Sequence, residues 1–330
     1  MSNPPVRALN TRSEWQAEIA KLPTLEENGG KIPSVFLAHG QPMLILPPHL
    51  AKDTPMLATL GEIQGPDGLL SQFLQDFGPT LLEKYRPRAI VVLSAHYETD
   101  GGGVVTDYGD ENPLLHDYFG FPRELYETKF HSSGDSNLAR QIVDRLRAAG
   151  IEQSRLTTTN EPRGRDGRGF NGPGFDHGVF VPFKLMFGEE APVPIVQVSI
   201  PSDLSPRSQR SLGEALEPFR SEGVLIISGG LTVHTFQDFS AFSPRTAKPI
   251  YLEFEAAVVA AVAEPDRAAR AAALDALPRH AGFRLAHPRE EHFVPIYIAA
   301  GAAHESERTE AKAARIVCGL YGAKSAVFGV

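Results

Sequence analysis

The chain has 330 residues, 42% hydrophobic and 22% charged, with 32 Lys and Arg against 40 Asp and Glu. That length suits one to two domains, and a formal charge of -8 without a basic stretch argues against nucleic acid or an anionic membrane as partner. The single Cys318 excludes a disulfide framework and a thiolate metal cluster, and no apolar run reaches the ~18 residues of a membrane helix.

The first fifteen residues have no apolar core behind a basic start, so no secretory signal is expected and the expected location is the cytoplasm. Ser13, with Gln16 three residues on, predicts the start of a short helix. It lies in an N-terminal extension, residues 1–30, that closes at Gly29-Gly30. Residues 35–38 read as a short buried strand ended by His39-Gly40. Residues 47–78 mix Pro, Gly and amphipathic pieces and read as loop and short helix. Residues 89–94, continuous and β-branched, read as a strand covered on both faces and ended by Ala95-His96. A helix is predicted over 136–149, capped by Ser136 and Gly150, then a buried strand over 194–200. A helix over 205–220 and a strand over 224–228 follow. Alanine-rich helices are predicted over 251–263 and 266–277, and an apolar helix over 290–300. Strands and helices alternate. The expected fold is therefore a single α/β domain over residues 31–330, with a largely parallel central sheet covered by helices on both faces and the active site at the C-terminal strand ends. Residues 161–174 form a Gly/Arg loop, read as a solvated surface insertion, with a lid as the alternative.

His39, His96 and His234 each follow a predicted strand, where an open α/β sheet binds its ligands. His177 precedes an apolar run, and His292 opens the last apolar helix. Imidazole is the commonest neutral metal ligand and the commonest general base near pH 7, so converging histidines can do either task or both. A single such histidine is more often a hydrogen-bonded turn residue; three at strand ends favour convergence. His49, His131, His280, His287 and His304 suggest no role. There is no Gly-x-Ser-x-Gly elbow and no His-Glu-x-x-His pair.

Seven short motifs recur in order: Phe36-Leu37-Ala38-His39-Gly40-Gln41-Pro42-Met43; residues 91–97; His116-Asp117-Tyr118-Phe119-Gly120-Phe121-Pro122; Leu125-Tyr126-Glu127-Thr128; Gly174-Phe175-Asp176-His177-Gly178; Ser228-Gly229-Gly230 with Val233-His234; and Glu291-His292-Phe293-Val294-Pro295. Together, over about residues 35–301, they resemble the class III extradiol ring-cleaving dioxygenases, of the DOPA-4,5-dioxygenase type within the LigB-like superfamily. The resemblance implies one divalent metal, iron(II) for activity and zinc(II) in some purified forms. It implies His39, His96 and His292 as metal ligands, and His177 and His234 as proton-handling residues, with His234 alternatively a ligand. It implies His116 and Tyr126 as substrate-binding residues, and a small aromatic diol and dioxygen as reactants. The implied product is of the muconic semialdehyde type. Gln41 stands where the family usually has Ser, which touches substrate identity more than the metal.

Neighbours on a helix point about 100° apart, so Glu290, Glu291 and His292 are not expected to share one ion. Glu291 is the alternative ligand, or an outer partner that orients one. A zinc-dependent hydrolase and a non-catalytic metal-binding or interaction protein are the competing readings. A homo-oligomer is compatible with the sequence. Arg163, Arg165 and Arg168 recognise a substrate carboxylate only if their loop folds inward.

Overall fold

The computed structural model of the chain describes residues 10–51, 54, 57–161, 169–303 and 313–330. Its centre is a set of parallel strands built from the most apolar, β-branched runs: β1 (Ser34–Ala38), β2 (Ala89–Thr99), β5 (Ile195–Pro201) and β6 (Val224–Gly230). All four are buried along nearly their whole length, as strands with both faces covered must be. Two short strands, β3 (Val104–Thr106) and β4 (Arg155–Thr157), and a C-terminal pair, β7 (Ala314–Cys318) and β8 (Ser325–Phe328), complete an eight-stranded sheet of order β4-β3-β5-β2-β6-β1-β8-β7. The expected α/β domain is therefore present. Its parallel core is extended on both sides by antiparallel pairings, β3 with β5 at one flank and β1–β8–β7 at the other.

The main helices are α1 (Arg12–Ala20), α2 (Leu69–Tyr85), α3 (Ser136–Ala148), α4 (His177–Phe187), α5 (Pro206–Leu216), α6 (Pro249–Ala263), α7 (Arg267–Ala276) and α8 (Pro295–Ala302). The two faces of β6 show how they are shared out. A Cβ on Gly229 would approach the Gly178 carbonyl of α4, whereas one on Gly230 would run into the His292 carbonyl ahead of α8. Successive residues of a strand face opposite ways, so α4 and α8 cover opposite faces. Helix α2 packs on α4, and α5 on α8. The N-terminal segment belongs to this body: the buried Trp15 ring meets Phe73 edge-on at 6.1 Å, and its Nε1 donates to Asp76 at 3.0 Å.

Several expectations are corrected. The first helix begins at Arg12, with Thr11 as its cap; the Glu14 carboxylate accepts from the Thr11 backbone N–H at 3.1 Å. Asp135, not Ser136, caps α3, accepting from the N–H groups of Asn137 and Leu138. The stretch read as loop and short helix contains most of α2, 17 residues long, because Gly78 and Pro79 do not break it. A Cβ on Gly78 would lie 2.4 Å from the Met186 carbonyl, so glycine there permits the close crossing of α2 and α4. His292 does not open a helix. It sits in a turn, and α8 begins at Pro295, where the missing N–H costs nothing.

No helix of the described residues is long and apolar enough to cross a membrane.

Candidate metal centre

The carboxyl ends of β1, β2 and β6 open onto one cleft. His39 is the first residue beyond β1, its N–H bonded to the Gly230 carbonyl at 3.2 Å. Gly40 follows with φ +70°, a left-handed conformation that glycine adopts without strain. In that turn the Gly40 carbonyl meets His39 Nδ1 at 2.8 Å. A carbonyl only accepts, so Nδ1 carries the proton and Nε2 carries the lone pair.

His96 lies inside β2, not after it. Pairing with β5 holds to Leu93 and resumes at Glu98, with a register shift between them. Such a bulge re-aims side chains, and here it turns His96 toward the cleft. His96 Nδ1 faces the fully buried Asp176 carboxylate at 3.2 Å. Asp176 Oδ1 also accepts from Ser94 Oγ at 2.6 Å and the Gly178 N–H at 2.9 Å, and Oδ2 accepts from Gln197 at 2.8 Å. Because Asp176 caps α4, one carboxylate fixes both the helix start and the orientation of His96.

His292 is held by its neighbour. Glu291 Oε1 is 2.9 Å from His292 Nδ1, and Arg289 joins Glu291 at 3.4 Å to the buried Glu98, to which its Nη1 and Nη2 both donate at 2.5 Å. In a turn, adjacent side chains can converge, which the helical reading of 290–292 did not allow.

Ring nitrogens of His39, His96 and His292 lie within 4.8 Å of one another. His96 Nε2 and His292 Nε2 are 2.9 Å apart. With both Nδ1 atoms turned to carboxylates, two lone pairs face each other at that distance, an arrangement a cation between them relieves. Nitrogen atoms bound to one ion at about 2.1 Å and near right angles sit ~3 Å apart. The donor set therefore fits one divalent metal, and it is the neutral-imidazole type that iron or zinc accepts.

Two further histidines flank the three. The His177 ring lies 4.3 Å from that of His96, and Asp117 Oδ1 meets both its backbone N and its Nδ1 at 2.8 Å. The His234 ring stacks on His292 with centroids 3.5 Å apart. Loss of hydration, then the neighbouring His292 ring, holds His234 well below the usual histidine pKa, with Glu291 opposing. This favours the neutral form of His234.

Beyond the histidines the cleft, about 430 Å³, is walled by Tyr118, Phe119, Phe121, Phe170, Phe236 and Phe242, with Gln41 and Gln64 as uncharged polar groups. His116 and Tyr126 are not part of this lining. Both pack against Tyr118, at 5.8 Å and 5.1 Å between rings, and Tyr126 Oη donates to the Tyr118 carbonyl at 3.3 Å. Burial lowers the His116 pKa. Arg163, Arg165, Arg168 and His304 lie outside the described residues. A larger cavity, about 730 Å³, borders α6 and β7 and contains the buried Lys324–Glu255 pair, but no histidine lines it among the described residues.

The carboxylates Asp117 and Asp176, which hold His177 and His96, are absent from the sequence-based site. Each sits within a motif that names a histidine, and Asp176 directly precedes His177, a signal that was available. Glu98, Arg289 and the bulge in β2 left no trace in spacing or composition.

Residues 48–329 match the family described as the catalytic LigB subunit of aromatic ring-opening dioxygenase. The chain belongs to that family. It is 41% identical to a 4,5-DOPA dioxygenase extradiol-like protein of Schizosaccharomyces pombe, over 96% of this chain and 97% of the relative. It is 34% identical to the 4,5-DOPA dioxygenase extradiol of Beta vulgaris, over 72% of this chain and 81% of that one. The crystal structure of an uncharacterized Escherichia coli K12 protein, 24% identical, shares the fold with a TM-score of 0.59, covering 90% of this chain and 100% of that one.

Proposed function

We propose that the chain is an iron(II)-dependent extradiol dioxygenase that opens a catechol-type ring with dioxygen in the cytoplasm, giving a muconic semialdehyde-type product. The observation that carries the reading is the set of imidazoles whose Nδ1 atoms are each tied to an acceptor while His96 Nε2 and His292 Nε2 meet at 2.9 Å. His39, His96 and His292 would hold the metal. When bound, it supplies Lewis-acid polarisation of the diol and the one-electron chemistry that dioxygen requires.

The chain's own groups do the rest. The aromatic walls orient the ring and exclude water from the buried end of the cleft. His177, with Nδ1 committed to Asp117, presents Nε2 as a proton acceptor for one diol hydroxyl. His234, neutral beside His292, stands on the other side of the cluster and handles the second proton transfer. A permanently charged lysine at either position could not accept that proton. His116 and Tyr126 act on substrate through Tyr118, which they buttress.

The test is His177→Ala and His234→Ala, with metal content and oxygen uptake measured on the same samples. Both are expected to keep their metal and to lose turnover by about 10²–10⁴-fold, the usual weight of a positioned acid or base. Full turnover in either variant removes its proton role. Loss of metal from His234→Ala makes it a ligand instead.

A further inference from the structure

The cleft is far larger than the ring it is proposed to open. A bare catechol has eight non-hydrogen atoms, whereas cavities of about 300–1,000 Å³ enclose drug-sized ligands; this one measures about 430 Å³. The surplus space has a definite chemistry. A ladder of aromatic rings runs from the histidines to solvent: His234 to Phe236 at 5.2 Å, Phe236 to Phe242 at 5.8 Å, and Phe242 to Phe239 at 5.8 Å. Phe119 stands in the same lining. At the mouth the rings are open to water, with Phe119 82% and Phe236 64% exposed. Large exposed rings gathered at one opening mark a surface that is covered when a ligand binds.

Charge points the same way. A carboxylate-bearing substituent laid along these rings would exchange water for apolar contacts.

We propose, building on the ring-cleavage reading, that the cleft takes an uncharged aromatic diol with an apolar substituent about the size of a second ring, laid along Phe236 and Phe242, and selects against amino-acid or carboxylate catechols. The diol end meets the histidines. The substituent covers the exposed rings, and the gain from burying both apolar surfaces favours it over bare catechol.

The test has two arms on the iron-loaded full chain. Oxygen uptake is measured with 4-phenylcatechol, bare catechol, DOPA and 3,4-dihydroxyphenylacetate. Binding of the same four is measured by anaerobic equilibrium dialysis, where nothing turns over. The expected result is at least tenfold higher kcat/KM, and at least tenfold tighter binding, for 4-phenylcatechol than for either carboxylate. Phe236→Ala is expected to shrink the advantage of 4-phenylcatechol over catechol by about tenfold, on the scale of a lost apolar contact. Equal or tighter binding of DOPA overturns the proposal, as does a Phe236→Ala variant in which that advantage is unchanged. Tight, selective binding of 4-phenylcatechol with no oxygen uptake sustains the pocket preference and overturns the ring-cleavage reading instead.

Discussion

Asp176 is the place to ask how the buried frame controls the cluster. Its carboxylate takes three donors on Oδ1 (Ser94 Oγ, the Gly178 N–H and His96 Nδ1) and Gln197 on Oδ2. Asp176→Asn keeps the shape and exchanges one oxygen for an NH₂ group. That group cannot occupy the Oδ1 position, where it would meet three donors. It takes the Oδ2 position, where Gln197 accommodates it by turning its own amide. The variant therefore folds and loses only the negative charge behind His96. Removing such an outer partner typically lowers metal affinity 10–100-fold, so the dissociation constant for iron(II) should rise by that factor, about 1.4–2.8 kcal/mol. Asp176→Ala is a different perturbation. It strands buried donors at ~1–3 kcal/mol each, and folding stability should fall by several kcal/mol. Chelator competition reads the first effect and urea unfolding the second. An Asp176→Asn chain that folds normally and binds iron within twofold of wild type would refute the role assigned to Asp176.

Two further substitutions probe the frame. Gly230→Ala drives a Cβ to 2.2 Å from the His292 carbonyl, whereas Gly229→Ala meets nothing closer than 3.5 Å. The former should cost about 1–3 kcal/mol by overpacking and weaken metal binding, and the latter should leave both nearly unchanged; similar unfolding midpoints for the two would contradict this. His287 is fully buried, its Nε2 bonded to the Thr232 carbonyl at 2.9 Å, and burial pushes its pKa down to about 4. The unfolded chain thus binds a proton between pH 6.5 and 4 that the native chain does not. The resulting stability is complete above pH 6.5 and declines as pH falls through that window, by up to about 3 kcal/mol. Urea midpoints at pH 7 and 4.5 should converge in His287→Gln relative to wild type; equal pH slopes would exclude this source.

What the sequence disclosed follows from what kind of signal each feature leaves. Strands β1, β2 and β6 are covered on both faces, so they appear as unbroken apolar runs, and the histidines at or just past their carboxyl-terminal halves mark the binding edge. Helix α2 was hidden because Gly78 and Pro79 look like breakers. Its reason for tolerating Gly78 lies in the backbone of Met186, more than a hundred residues away. The bulge that turns His96 inward depends on how β2 pairs with β5, a relation no local window contains. The turn at His292 had a local clue in Pro295, a residue that starts helices more readily than it continues them. The Glu98–Arg289–Glu291 chain joins residues 191 apart and carries no periodicity. The distinction between His116, behind the wall, and Tyr118, on it, depends on side-chain direction that motif order does not encode.

The proposed chemistry requires one ion held by His39, His96 and His292 at the end of an aromatic cleft. Oxygen uptake with an excess of 4-phenylcatechol and bare catechol, measured while iron(II) is titrated anaerobically into metal-free chain, tests it most directly. The rate should rise linearly and level off at one iron per chain, and His39→Ala, His96→Ala and His292→Ala should each abolish the rise. Undiminished, iron-saturable uptake in any of the three variants, or uptake indifferent to iron in the wild type, would contradict it.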